Sequence, residues 1–154
     1  MNVEFVNPIL VSILNVLSTM AKIDAKPGRP AVKQGDVSRG DVTGIIGMTG
    51  SKARGSIAIS FPEPVILDIA KRMLNEEPAG VDATVTDLVG EIINMVSGGA
   101  KKLLGDQGYD FDMALPAVVS GKNHVVDHKS RGPKIILPFT VDTGVFFVEI
   151  CFEN

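Results

Sequence analysis

The sequence has 154 residues, 45% hydrophobic and 21% charged, which is enough chain for one domain with a substantial core and too apolar for a disordered segment. Its formal net charge of −3 argues against an extended nucleic-acid-binding face. The lone Cys151 cannot close an internal disulfide, so a reducing cytoplasm is the expected compartment.

Apolar side chains recur at helical spacing across residues 3–21, where Val6, Ile9, Leu10, Ile13, Leu14, Leu17 and Met20 share a face. Asn7, Ser12, Asn15 and Ser18 interrupt the run, so it reads as a core helix rather than a membrane span, and no basic segment marks it as a secretory signal. Pro8 suits the first turn of such a helix. Lys26-Pro-Gly-Arg-Pro30 then breaks the pattern, and strands are expected near 31–37, 41–49 and 54–60, close enough for an antiparallel meander. Arg39-Gly40-Asp41 reads as a turn between the first two.

Pro62 and Pro64 introduce a helix near 64–75. A second helix runs from about 84 to 105, with Thr84-x-x-Asp87 fitting a capping box at its start and Gly105 near its stop. Strands near 112–120, 133–142 and 145–152 follow, the last two joined through Asp142-Thr-Gly144 as a hairpin turn. The apolar 146–152 segment suits either a sheet edge or a core strand, and Cys151 within it is expected to pack rather than react. The whole of 1–154 therefore reads as a single α/β domain of the α+β type, with long helices on a mostly antiparallel sheet.

The chemistry concentrates on the second of those helices. At about 100° per residue, Asp87, Glu91 and Asn94 line up on one face, and Gly90, Gly98, Lys101 and Lys102 join or border that stripe. Leu88, Val89, Ile92, Ile93, Val96, Ala100, Leu103 and Leu104 take the remaining surface, so the helix should be buried except along this line. Glu91 and Asn94 offer a carboxylate that can pair with a lysine and a carboxamide that can orient a water molecule. The stripe has no suitably placed histidine or nucleophile for ordinary acid/base or covalent catalysis. An inert solvated stripe has the same composition.

The order Asp87-x3-Glu91-x2-Asn94, followed after twenty-one residues by Pro116, resembles the signature of the CheC/CheX/FliY chemotaxis phosphatases. The signature occurs once, and Asn7-Pro8 opens a long apolar helix, so the chain is similar to CheX-like members over essentially its full length. That resemblance implies an internally duplicated half-domain, a homodimer, and a phosphatase acting on the aspartyl phosphate of a CheY-type response-regulator receiver. Glu91 would pair with the receiver's active-site lysine, and Asn94 would align water for in-line attack. Asp87, Gly98 and Pro116 would be supporting positions, Pro116 as a geometric element at a strand edge or bulge. Mg2+ is expected on the receiver and no cofactor on this chain. A non-catalytic receiver-binding adaptor would use the same helix surface.

Two further patterns carry less. Glu4-x2-Asn7, with Pro30 twenty-two residues on, repeats part of the signature and is expected to be inert. His124 and His128 flank Val125-Val126-Asp127 in what reads as a solvated loop, where a metal pair is not expected.

Overall fold

A computed structural model describes residues 4–153. The first apolar stretch forms α1 (Val6–Val16), prolonged by a π-helical turn (Leu17–Ala21) that ends at Lys22 in the left-handed conformation. Val3, placed in this helix by the sequence pattern, lies outside the described residues. Two short strands, β1 (Lys26–Pro27) and β2 (Ala31–Val32), precede the hairpin of β3 (Val42–Thr49) and β4 (Arg54–Phe61). Helices α2 (Glu63–Leu74) and α3 (Ala83–Asp106) come next. The chain closes with short β5 (Asp112–Met113) and β6 (Ala117–Ser120) and a second long hairpin, β7 (Lys134–Val141) and β8 (Gly144–Glu153).

The strands form one sheet, antiparallel in every pair, in the order β1-β7-β8-β4-β3-β5, with β2 also on β7 and β6 also on β3. The pairing exposes a duplication. Each half of the chain supplies a helix, two short strands and a long hairpin, and each pair of short strands docks on the other half's hairpin. The two halves meet where β4 pairs with β8.

Two sequence expectations need correction, and one open choice is decided. The 31–37 segment is a strand only at Ala31–Val32, because the chain then leaves β7 to cover the sheet. The 112–120 segment divides around Pro116, which cannot donate to the ladder. The 146–152 segment does not border the sheet. As part of β8 it is bonded on both sides, to β7 and β4, so its continuous apolar character reflects central burial.

Along each long strand one set of alternating residues faces the helices, as the two-residue period requires. Ile46 and Met48 of β3, Ile57 and Ile59 of β4, Leu137 and Phe139 of β7, and Val148 and Ile150 of β8 all enter one core with α1, α2 and α3. Helices therefore cover one face only. The ends of α1 and α3 are joined to β8 by aromatic packing of Phe5 on Phe152 (centroids 4.5 Å) and on Tyr109 (5.1 Å).

α1 and α3 touch at very close range. Ser12 is buried and its hydroxyl donates to the Val96 carbonyl (2.7 Å), while a Cβ added at Gly99 would stand 2.3 Å from the same hydroxyl oxygen. On its sheet side α3 lies over Gly44, where a Cβ would approach Val89 to 3.0 Å and Ile93 to 3.2 Å. Gly99→Ala should consequently destabilise the fold by about 1–3 kcal/mol despite alanine's better helix propensity. Urea unfolding checks this, and adding Ser12→Ala to the same chain should recover part of the loss.

Candidate functional site

The predicted polar stripe is presented by α3, whose bounds match the sequence expectation within a residue while its caps do not. The cap is Asp82 rather than Thr84: its carboxylate accepts from the Val85 amide (3.0 Å), so no Thr84–Asp87 capping box forms. The helix runs past Gly105 and stops where Gly108 adopts φ +94°. There the Tyr109 amide donates to the Leu104 carbonyl and the Gly108 amide to the Gly105 carbonyl, both at 3.0 Å, which is a Schellman closure.

Between these ends Val85, Leu88, Val89, Ile92, Ile93, Val96, Ser97, Ala100 and Leu104 are buried. Asp87, Glu91, Asn94, Lys101 and Lys102 are exposed, and Gly98 is half-buried. The side chains of Glu91 and Asn94 make no hydrogen bond or ion pair among the described residues, and neither does that of Asp87. Asp87 and Glu91 are like charges at i,i+4, an arrangement that costs a helix a few tenths of a kcal/mol. Pro116 lies apart from the helix, half-buried at the passage from β5 into β6. It enters through the strand it precedes: β6 flanks α3 so that Val118 would lie 3.6 Å from a Cβ at Gly90. Ser97, apolar in neither sequence nor expectation, is buried because its hydroxyl donates back to the Ile93 carbonyl (2.8 Å).

The partial repeat on α1 has a different fate. Glu4 immediately precedes the helix and Asn7 lies in its first turn, both exposed. The Glu4 carboxylate accepts the Tyr109 hydroxyl (2.6 Å).

A second polar cluster occupies the sheet face away from the helices. There the histidine loop corrects the sequence expectation, because His128 is 7% exposed and His124 is half-buried rather than solvated. The ionised Glu149 carboxylate can only accept, so His128 Nε2–H donates to Oε1 (3.1 Å) while Lys33 Nζ donates to Oε2 (2.8 Å). His128 Nδ1 also hydrogen-bonds the Ser56 hydroxyl (2.6 Å). His124 Nδ1–H donates to the Gly121 carbonyl (2.7 Å), which leaves Nε2 to accept the Thr43 hydroxyl (2.6 Å). Thr43 in turn bonds Ser60 (2.7 Å). These bonds fasten the loops at 33–41 and 121–133 over the sheet. A cavity of about 390 Å3 opens beside them, lined by Ser56, His128, Lys129, Ile45 and Leu115 among others. No group of three or more His, Cys, Asp or Glu side chains among the described residues could hold a metal ion. No helix among them is long and apolar enough to cross a membrane.

The family profile described as "Chemotaxis phosphatase CheX" matches residues 42–140, well over half the sequence. The chain belongs to the CheX chemotaxis phosphatase family. It is similar to a crystallised CheC-like superfamily protein from Shewanella sp. PV-4, with 56% identity and a TM-score of 0.93 over 100% of both chains. The "CheY-P phosphatase CheX" of Thermotoga maritima is 29% identical over 92% of this chain and 90% of that protein. A Borrelia burgdorferi structure described as a CheX-CheY-BeF3-Mg+2 complex is 25% identical, with a TM-score of 0.83 over 99% of this chain and 100% of the other.

In this CheX-family chain the two clusters are in opposite electrostatic states: the α3 stripe leaves its polar groups available, whereas the far-face network satisfies its own. Burial alone would push the Glu149 carboxyl up, but hydrogen bonds from His128 and Lys33, with their charge, outweigh it and hold it below the usual glutamate value. Burial pushes the Cys151 thiol up, in keeping with a packed strand residue. A depressed folded-state pKa stabilises the fold above the unfolded value of about 4.5, and that contribution is lost as pH falls through the folded value. Glu149→Gln leaves Lys33 buried without its counter-charge and should cost about 3–5 kcal/mol near neutral pH. Thermal unfolding across pH 7 to 3 checks both: the difference between wild type and variant should shrink as the pH falls below about 4.5.

Proposed function

We propose that this CheX-family chain hydrolyses the aspartyl phosphate of a CheY-type receiver, using Glu91 and Asn94 on the exposed stripe of α3. The observation that carries the reading is their placement. They lie one helical turn apart on the outward face of a helix fixed on its other sides, and neither side chain has a partner within the described residues. The Thermotoga CheY-P phosphatase and the Borrelia CheX–CheY complex support the receiver as substrate.

In this mechanism Glu91 accepts hydrogen bonds from the receiver's active-site lysine, a charge-assisted contact that fixes the two proteins in register. The Asn94 carboxamide enters beside the phosphoryl group, where its oxygen accepts a hydrogen bond from a water molecule and its NH2 donates. The water oxygen bonds to phosphorus as the bond to the aspartate oxygen breaks, giving a free carboxylate and inorganic phosphate. Mg2+ held by the receiver neutralises the phosphoryl oxygens. Phosphoryl transfer depends mainly on positioning and charge stabilisation, so one rigidly held amide is a sufficient contribution from this side. Asp87 adds negative charge next to Glu91 on the lysine-facing side of the stripe. A cytoplasmic location follows from such a substrate.

The family relation also supports a homodimer. Since β8 is internal, sheet-edge pairing in such a dimer would have to use the outer strands at β1 and β2 or at β5 and β6.

The test is the decay of a phosphorylated CheY-type receiver in Mg2+ with this protein and its variants. Asn94→Ala should lower kcat about 100-fold, the scale for removing one oriented polar group from a reacting centre, with little change in receiver affinity. Glu91→Ala should instead weaken binding about tenfold or more. Unchanged decay with wild-type protein, alongside intact receiver binding, would make the chain a receiver-binding adaptor.

A further inference from the structure

α3 contains four glycines, Gly90, Gly98, Gly99 and Gly105, and glycine is the poorest helix former after proline. Packing within the chain requires one of them. Gly99 lets α1 approach, because a Cβ there would stand 2.3 Å from Ser12 Oγ. Gly90 lies against β6, where a Cβ would make ordinary contact with Val118 at 3.6 Å. Gly105 is exposed in the final turn, about three turns beyond Asn94, where a Cβ would meet nothing within 4 Å.

Gly98 likewise has no packing reason, and of these two it is the one that stands a single turn from Asn94. It lies in the helix interior with no positive φ, and a Cβ built on it meets nothing within 4 Å. Neither packing nor backbone conformation therefore calls for glycine. Its position on the helix is telling: it follows Asn94 by four residues and Glu91 by seven, so it continues their stripe. Cα–Cβ bonds on a helix tilt toward the N-terminus, and long side chains fold back over the preceding turn. A side chain at 98 would lean over Asn94.

We propose that Gly98 is a clearance position: the missing side chain keeps the flank of the Asn94 carboxamide open, so that the phosphorylated receiver can seat against the α3 backbone. Gly98 is thus a positioning residue that sets how far the amide reaches into the receiver. The inference rests on the receiver reading above, and the occupant follows from continuity with the Glu91–Asn94 surface.

The experiment compares Gly98→Ala and Gly98→Gln with wild type in three measurements on the whole chain. Thermal unfolding should move up by about 2–4 °C in both variants, since open space and a helical backbone favour the better helix former. Affinity for a receiver loaded with beryllium fluoride and Mg2+ should fall in the order Gly, Ala, Gln, and kcat/KM for the phosphorylated receiver should fall at least about tenfold for the glutamine variant. A rise in stability with a loss of engagement cannot come from unfolding. Wild-type binding of the loaded receiver by Gly98→Gln would overturn the inference while leaving the phosphatase reading to Asn94→Ala. A fall in thermal midpoint in both variants would also overturn it, by showing that the fold itself needs the glycine. Wild-type protein that binds the loaded receiver in this glycine-dependent way without speeding dephosphorylation would uphold the clearance role and remove the phosphatase reading.

Discussion

The rotation of α3 about its own axis is the constraint on which the site depends. It is set by two close approaches on different sides of the helix: Gly99 against Ser12 of α1, and Val89 with Ile93 against Gly44 of β3. Each uses a glycine to bring backbone near a neighbour, so neither tolerates much adjustment in a close-packed interior. With those two sides fixed, the line through Asp87, Glu91 and Asn94 has only solvent to face. A rotation of one residue, about 100°, would turn that line into the core. Packing, rather than any bond made by the site residues, therefore aims the carboxylate and the carboxamide.

The duplication explains why one helix carries the site and its counterpart does not. Both α1 and α3 lead into two short strands and a hairpin, and both carry a Glu-x2-Asn spacing. On α3 the spacing falls within the body of a 24-residue helix. On α1 it straddles the helix start, with the glutamate before the first turn and its carboxylate committed to Tyr109. The spacing is the same in both copies; what separates them is that Glu4 is bonded within the fold, whereas Glu91 has no such bond among the described residues.

Much of this was legible in the sequence because it rests on local periodicity. The α3 pattern places nearly every buried residue and the polar stripe without reference to the rest of the chain, and the two long hairpins follow from alternation and turn residues. What the pattern could not reveal depends on distant partners. The central position of β8 is decided by pairing with β4 and β7, and an apolar strand reads alike at an edge or a centre. His128 looked solvated because its burial in the loop is created by Ser56 and Glu149, 72 and 21 residues away. Gly105 drew attention as a stop signal although Gly108 has the positive φ, because a Schellman closure is recognised by backbone geometry and both glycines are possible from composition.

The chain thus separates its polar chemistry into two kinds. On the far face of the sheet, Lys33, Glu149, His128 and Ser56 form a network rich in the groups usually found in active sites, yet each member bonds another and the buried charges are compensated within the fold. A buried carboxylate held ionised by a lysine and a histidine is a poor base, since its depressed pKa measures its reluctance to take a proton. The network's bonds are spent on keeping loops over a sheet that helices do not cover. On α3 the groups are chemically plainer, but their hydrogen-bonding capacity is unused within the described residues. In the proposed reaction, where metal and electrophile would both belong to the partner, unused capacity held in a fixed direction is the contribution this chain would make, and titrating chemistry of its own is not required.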